Sequence, residues 1–230
     1  MDIKEAIAAR HSVRQYVDKA IEPEKLAELQ SEIDACNEES GLHIQLVEDS
    51  AAFENFLARY GKFENVRYYL ALVGPKSKGD ELHIDAGYYG QRIVLKAQML
   101  GLNTCWVAGT FSRRKARYQK NAGEKLACII SLGYGQTHGK DRKTKPLEDL
   151  CFVDLPEMPD WFREGMEAAK LAPTAVNQQK FLIMLRKSPH NPEVLEVKAE
   201  SLGGAYSKID LGIVKYQFEV AAGTDNFVWI

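Results

Sequence analysis

The sequence predicts an α+β fold whose second portion repeats elements of its first. Two observations carry this expectation. Runs that are apolar at helical spacing are interspersed with short apolar or alternating runs bounded by glycine and proline, so helices and strands intermix along the chain. In addition, Ile84-Asp85-Ala86-Gly87 and Ile209-Asp210-Leu211-Gly212 each open a long helix that leads through a glycine to a short apolar strand. Pro23, a helix and a strand at Leu42 likewise parallel Pro159, a helix and a strand at Phe181. A helix-strand-helix-helix-strand unit, shortened in its second copy, accounts for both echoes.

The first helix covers Asp2 to about Arg10, where Asp2 and Glu5 make a capping box and Ile3, Ala6 and Ile7 share a face. Pro23 starts the second at a position proline tolerates, Leu26, Leu29, Ile33 and Cys36 line it, and Gly41 ends it. Leu42, Ile44 and Leu46 alternate with His43 and Gln45 as in a strand with unlike faces. Phe53, Phe56, Leu57 and Tyr60 mark a third helix, and Tyr68 to Val73 a second strand. A long helix runs from Asp80 to Leu100 and stops at Gly101, followed by a strand over Thr104–Val107. Gly109-Thr110-Phe111 leads to a short helix capped by Ser112 and carrying Arg113, Arg114, Lys115 and Arg117, and a fourth strand covers Leu126–Leu132. A long loop, Gly133 to Pro146, is glycine-rich at its start and cationic at its end.

The second portion starts near Pro156. Trp161, Phe162, Met166 and Ala169 form a helical stripe, which Pro173 terminates by disfavouring helical backbone at Ala172. Phe181–Leu185 is a short buried strand. Pro192 begins a helical segment through Val194, Leu195 and Val197 that ends at Gly203-Gly204. Ile209–Ala222 is a further helix and Phe227–Ile230 a terminal strand.

Composition narrows the function. At 230 residues there is ample room for a core, and 45% hydrophobic with 27% charged residues is ordinary for a globular chain. A net charge of −2 offers no global field for nucleic acid or an anionic membrane. No apolar run approaches a membrane span, and MDIKEAIAAR lacks a signal peptide's apolar region. The four scattered cysteines, without any C-x-x-C pair, read as buried thiols of a cytoplasmic protein. The five histidines have no metal-ligand spacing, no Walker A motif occurs, and no helix follows the Gly133–Gly139 glycines as a dinucleotide fingerprint requires. Neither a metal nor a P-loop is expected.

Two polar stretches stand out. Arg10-His11-Ser12-Val13-Arg14-Gln15-Tyr16 places two arginines, a histidine and a serine within five residues, a set of donors for an anion. Taken alone, a solvated basic turn is the better explanation. Ala172-Pro173-Thr174-Ala175-Val176-Asn177-Gln178-Gln179 crowds amides between two apolar elements, so its side chains need backbone, water or a ligand as partners. Taken alone, a loop tied down by its own Asn and Gln suffices.

Together these stretches resemble the two signatures of the FMN-dependent nitroreductase family, Arg-Arg/His-Ser-x-Arg/Lys-x-Tyr/Phe and Pro-Ser-x-x-Asn-x-Gln-Pro. Gly101–Gly133 resembles the family's glycine-strand-loop-helix-strand region, and Lys145-Pro146-Leu147-Glu148-Asp149 its closing basic segment. The order departs from the family. There the amide motif follows the first helix pair, where this chain has Ala35-Cys36-Asn37-Glu38-Glu39-Ser40-Gly41 instead. Family dimers take the two motifs from different subunits, and this chain carries one of each. It resembles the single-chain, internally duplicated subgroup.

The resemblance implies a central, mostly antiparallel sheet flanked by helices. Residues 1–150 would be a half with the Arg-His-Ser motif and the basic loop, and 151–230 a shortened half with the amide motif, packed as one globular unit. It implies one FMN per chain at the junction, in a monomeric pseudo-dimer or a homodimer. Arg10 and Ser12, with a cation from Arg142, Lys143 and Lys145, would serve the phosphate, and His11 would belong to the same cofactor site. Arg14 would lie near the pyrimidine, where a cation favours the reduced ring. Pro173, Thr174, Asn177 and Gln179 would reach the flavin from the other half, and the backbone of Ala108, Gly109 and Thr110 would lie near N5, glycine allowing close approach. The activity implied is ping-pong reduction of a small acceptor, such as a nitroaromatic or quinone, by NAD(P)H, with no protein acid or base required. Lys180 stands where the family has proline, which bears on the pocket's shape. A ligand-binding protein of the same fold without NAD(P)H turnover carries the same motifs, and a ligand-free structural module would not bring the two stretches together.

Overall fold

The computed structural model describes residues 1–230. Helix α1 (Ile3–Ala9) has the Asp2/Glu5 capping box with both hydrogen bonds made. Helix α2 (Pro23–Ser40) begins on its proline and ends at Gly41, whose φ of 67° is left-handed. There follow β1 (His43–Glu48), α3 (Phe56–Tyr60), β2 (Tyr68–Pro75), α4 (Glu81–Met99), β3 (Asn103–Val107) and β4 (Glu124–Gly133). The remainder comprises β5 (Cys151–Asp154), α5 (Asp160–Lys170), β6 (Phe181–Lys187), β7 (Leu195–Ser201), α6 (Ser207–Ala222) and β8 (Val228–Trp229).

The strands form two four-stranded sheets. The first has the order β1-β2-β4-β3 and is antiparallel throughout. The second has the order β5-β6-β7-β8, antiparallel only between β6 and β7. One apolar core joins them: Leu72 and Ile130 of the first sheet, Ile93 of α4, Ile213 and Phe218 of α6, and Ile183 and Val197 of the second sheet belong to a single buried cluster. The opposite face of the first sheet carries its own cluster around Tyr16, Phe53, Phe63, Tyr69 and Ile129.

Three expectations are corrected. Residues 195–201 are a strand, not a helix. Val194 and Val197 mimic helical spacing, but Val197 faces Leu185 of β6 while Glu196 pairs with Arg186 through a 2.8 Å ion pair. Long-range pairing with β6 overrides the local pattern. The segment after Ser112 is a single turn, with the amides of Lys115 and Ala116 donating to Ser112 O. The Arg113 guanidinium donates to the carbonyls of Leu126 and Ala127, and the Arg117 backbone amide donates to Tyr69 Oη. The third helix is broken. A 3-10 turn at Ala51–Phe53 precedes α3, and Asn55 caps α3 by accepting the Ala58 amide. Strand β5 escaped notice because four residues of exposed–intermediate alternation carry little signal.

The expected helix-strand-helix-helix-strand unit is corrected as well: with β7 a strand, both portions run helix, strand, strand, helix, strand, as α2-β1-β2-α4-β3 (interrupted by α3) and as α5-β6-β7-α6-β8. Helices α4 and α6 meet through the echoed Ile-Asp-x-Gly segments. A Cβ on Gly87 would lie 2.1 Å from the Ile209 carbonyl oxygen, and one on Gly212 would lie 1.9 Å from that of Ile84. The contact is reciprocal, as across a two-fold axis. Alanine at either glycine would gain up to about 1 kcal/mol in helix propensity, yet the helix backbones would have to separate. Gly212→Ala is therefore expected to lose about 1–3 kcal/mol net in urea unfolding; unchanged or greater stability would refute the close crossing.

Candidate active site

The chain after α1 runs extended along the edge of β3, with the Val13 amide donating to Thr104 O. Extended backbone sends alternate side chains to opposite sides. Val13 accordingly enters the core, while Ser12 and Arg14 line a cleft. Tyr16 breaks the alternation: it is buried, with its hydroxyl donating to Val13 O. Arg10, at the end of α1, is only 2% exposed. Arg142, from the loop after β4, donates Nη1 to Arg10 O at 3.0 Å, which places the two guanidinium-bearing residues side by side. The Nε atoms of both are buried without any partner. Burial, then the neighbouring Arg142 charge, pulls the Arg10 guanidinium down to about 9, so it stays charged at neutral pH. Burial also lowers Arg142. A buried cation beside a second, partly buried one, with only the exposed Asp141 carboxylate near, is costly unless an anion joins them.

The amide turn forms the opposite wall. Val176, Asn177 and Gln179 have φ of 47°, 57° and 46°, all in the left-handed region. For β-branched Val176, which is 98% exposed, that conformation is a true outlier, and such strain persists only where surroundings over-determine it. They do so here. The Asn177 side chain and the Gln179 Nε2 both donate to Lys143 O, the Lys145 amide donates to Gln179 Oε1, and Lys145 Nζ donates to Gln179 O. The cationic loop and the amide turn, distant in sequence, are thereby stitched together.

Between these walls lies one continuous cleft with two compartments. The apolar compartment, about 510 Å³, is bounded by Trp106 to Thr110, by Ile209 and Ile213 of α6, and by Tyr60 and Tyr206. Gly109 is exposed, and a Cβ there would have only Tyr206 Oη near it, at 3.7 Å. The polar compartment, about 810 Å³, holds Arg10, Arg14, Lys62, Lys140, Arg142 and Lys143 against a single acid, Asp141. Ser12, Arg14, Lys62, Pro173, Thr174 and Val176 line both. Such a cleft suits an elongated ligand with a flat apolar body and an anionic end.

Of the residues singled out in the sequence, Arg10, Ser12, Arg14, Ala108, Gly109, Thr110, Arg142, Lys143, Pro173, Thr174 and Asn177 line this cleft. His11, Lys145 and Gln179 line neither compartment. His11 lies against Ala9 O and Asp141, 3.0 and 3.2 Å away, and Gln179 and Lys145 hold each other behind the wall. Sequence reasoning assigns no site role to Lys62, Val176, Tyr206 or Asp210, which line the cleft. Val176 lies within the amide stretch and Asp210 within an echoed segment, whereas Lys62 and Tyr206 lack any local pattern. No group of three or more His, Cys, Asp or Glu side chains could hold a metal ion, and no helix is long and apolar enough to cross a membrane.

Residues 2–222 match the family described as "Putative TM nitroreductase". The chain belongs to the nitroreductase family. A Thermotoga maritima structure described as a putative nitroreductase is similar at TM-score 0.63 and 22% identity, over 96% of this chain and 83% of that one. A Parabacteroides distasonis structure described as a putative NADH dehydrogenase/NAD(P)H nitroreductase gives 0.50 at 22% identity, over 64% of this chain and 95% of its own. An Exiguobacterium sibiricum structure described as a putative nitroreductase in complex with FMN gives 0.52 at 13% identity, over 65% and 95%. At these identities the likenesses establish the nitroreductase-like fold. Among curated proteins none matches the chain.

The unpaired Nε atoms lead to a test. Arg10→Met keeps most of the volume and removes a buried charge, so the ligand-free protein should unfold at an equal or higher temperature. The rise in melting temperature that inorganic phosphate gives the native protein should shrink or vanish. Undiminished phosphate protection would show that Arg10 does not face the anion.

Proposed function

We propose that the cleft binds FMN and that the protein is an FMN-dependent NAD(P)H oxidoreductase acting on small acceptors. The observation that carries this reading is the pair of buried, partnerless guanidinium Nε atoms at the cationic end of an apolar cleft. Arg10, Arg142, Ser12 and Lys143 would hold the phosphate through charge-assisted hydrogen bonds. Thr174 and Asn177 would hold the flavin from the second wall, and Arg14 would lend positive charge where the compartments meet. The apolar compartment, with the exposed backbone at Gly109, would receive the ring. The flavin would supply two-electron transfer between NAD(P)H and an acceptor such as a nitroaromatic or quinone. Donor and acceptor would share one open compartment and so would bind in turn, a ping-pong order.

We infer further that residues 1–150 and 151–230 are the two halves of an internal duplication, each half contributing one wall. The reciprocal Gly87–Ile209 and Gly212–Ile84 contacts support this, as does the shared element order.

The purified protein should be yellow, and NADH or NADPH should bleach its flavin absorbance in the absence of air. A retained flavin that neither nucleotide bleaches would leave a binding protein without turnover. Arg10→Ala and Asn177→Ala should each weaken FMN binding by about 1–3 kcal/mol, measured by fluorescence titration; native affinity in both would refute the two-walled site.

A further inference from the structure

The strained amide turn is anchored from beneath by one side chain. Asp210, in the first turns of α6, accepts the Ala175 amide on Oδ1 at 2.9 Å and the Gln178 side-chain amide on Oδ2 at 2.6 Å. Gln178 Nε2 also donates to Ala205 O at 3.0 Å, so the same amide ties the turn to the chain leading into α6. Ala175 and Gln178 bracket the left-handed Val176 and Asn177, and Thr174 precedes them. The carboxylate lines the apolar compartment, yet both its oxygens are occupied by donors from the turn.

The echoed position in α4 does comparable work. Asp85 binds Lys78 Nζ at 2.6 Å, and that ammonium donates to Ser40 O at the end of α2. In the first portion the aspartate reaches its helix-end turn through a lysine; in the second it grips the turn directly.

We propose that Asp210 is a positioning residue of the flavin site, holding Thr174 and Asn177 against the ligand by clamping the turn that carries them. This rests on the FMN reading above. The clamp needs acceptors on both oxygens, and a proton on the carboxyl removes one. Burial raises Asp210 to about 6, opposed by the Gln178 and Ala175 hydrogen bonds. The groups facing it do not replace this control. Cys128 of β4 is a neutral thiol pushed up to about 12 by burial, and Arg14 and Lys62 stand among the cavity's other lining residues without pairing to it. Because the folded-state value is raised, protonation favours the fold while it weakens the clamp, so acid loss of ligand would not be unfolding.

The test is FMN fluorescence titration of the full chain from pH 5 to pH 8, for the native protein, Asp210→Asn and Gln178→Ala. The FMN phosphate itself titrates near pH 6, so the quantity read is the ratio of native to variant affinity. For Asp210→Asn the ratio should be about tenfold at pH 8 and close towards one by pH 5, because the native carboxyl is by then neutral. Gln178→Ala should bind more weakly at pH 8 and lose affinity with a midpoint at higher pH than the native protein, since it removes a bond that favours the carboxylate. If Asp210→Asn does not fold, Gln178→Ala decides alone. Native affinity in either folded variant, a ratio independent of pH for Asp210→Asn, or an unmoved midpoint for Gln178→Ala would overturn the proposal. Native protein that fails to bind FMN at pH 8 would overturn the FMN reading itself, and this inference with it.

Discussion

The crossing of α4 and α6 is the contact on which the rest of the structure depends. Only glycine at 87 and 212 lets each helix rest on a carbonyl of the other. That approach also places the start of α6, with Ile209, Asp210 and Ile213, at the end of β3 where the apolar compartment opens. A polar thread reinforces the crossing. The Trp106 indole donates to Gln91, Gln91 to Gln217, and Gln217 to the Ala168 carbonyl. Both glutamines are fully buried, and the thread links β3, α4, α6 and α5 with each bond satisfied in one direction. A wall of the cleft supplied by the second portion is thereby held at a defined distance from the wall supplied by the first.

The site itself works against stability. Arg10 and Arg142 are held together with their Nε atoms buried and unpaired, and Val176 sits in a backbone conformation that β-branched residues avoid. Asp210 adds a carboxylate whose ionised form burial disfavours. These features break local rules, and they do so side by side around one cleft. Such concentration is what a preorganised binding site requires, with the cost met by the core and returned when the ligand binds.

Much of this was legible in the sequence because the signals were local. The Asp2/Glu5 capping box, the proline at the start of α2 and the glycine at its end each act within a turn of where they stand. The two polar stretches were legible because donors and amides crowded between apolar elements call for partners. What stayed hidden was set by distant pairing. Strand β7 reads as helical until β6 lies beside it. Arg10 and Arg14 look alike in sequence, yet the end of α1 buries one while the extended segment after it exposes the other. Gln179 looked like a ligand contact because it belongs to the motif, but the Lys145 loop, distant in sequence, turns it away to hold the wall from behind. Asp210 could not be assigned a role without knowing that α6 begins beneath the amide turn.

The central claim is a single composite site whose walls come from the two portions of one chain. The most direct measurement is the flavin content of the FMN-saturated protein, taken as the ratio of released FMN to chains. One FMN per chain is the predicted result. A ratio near two, or no retained flavin at all, would contradict the account.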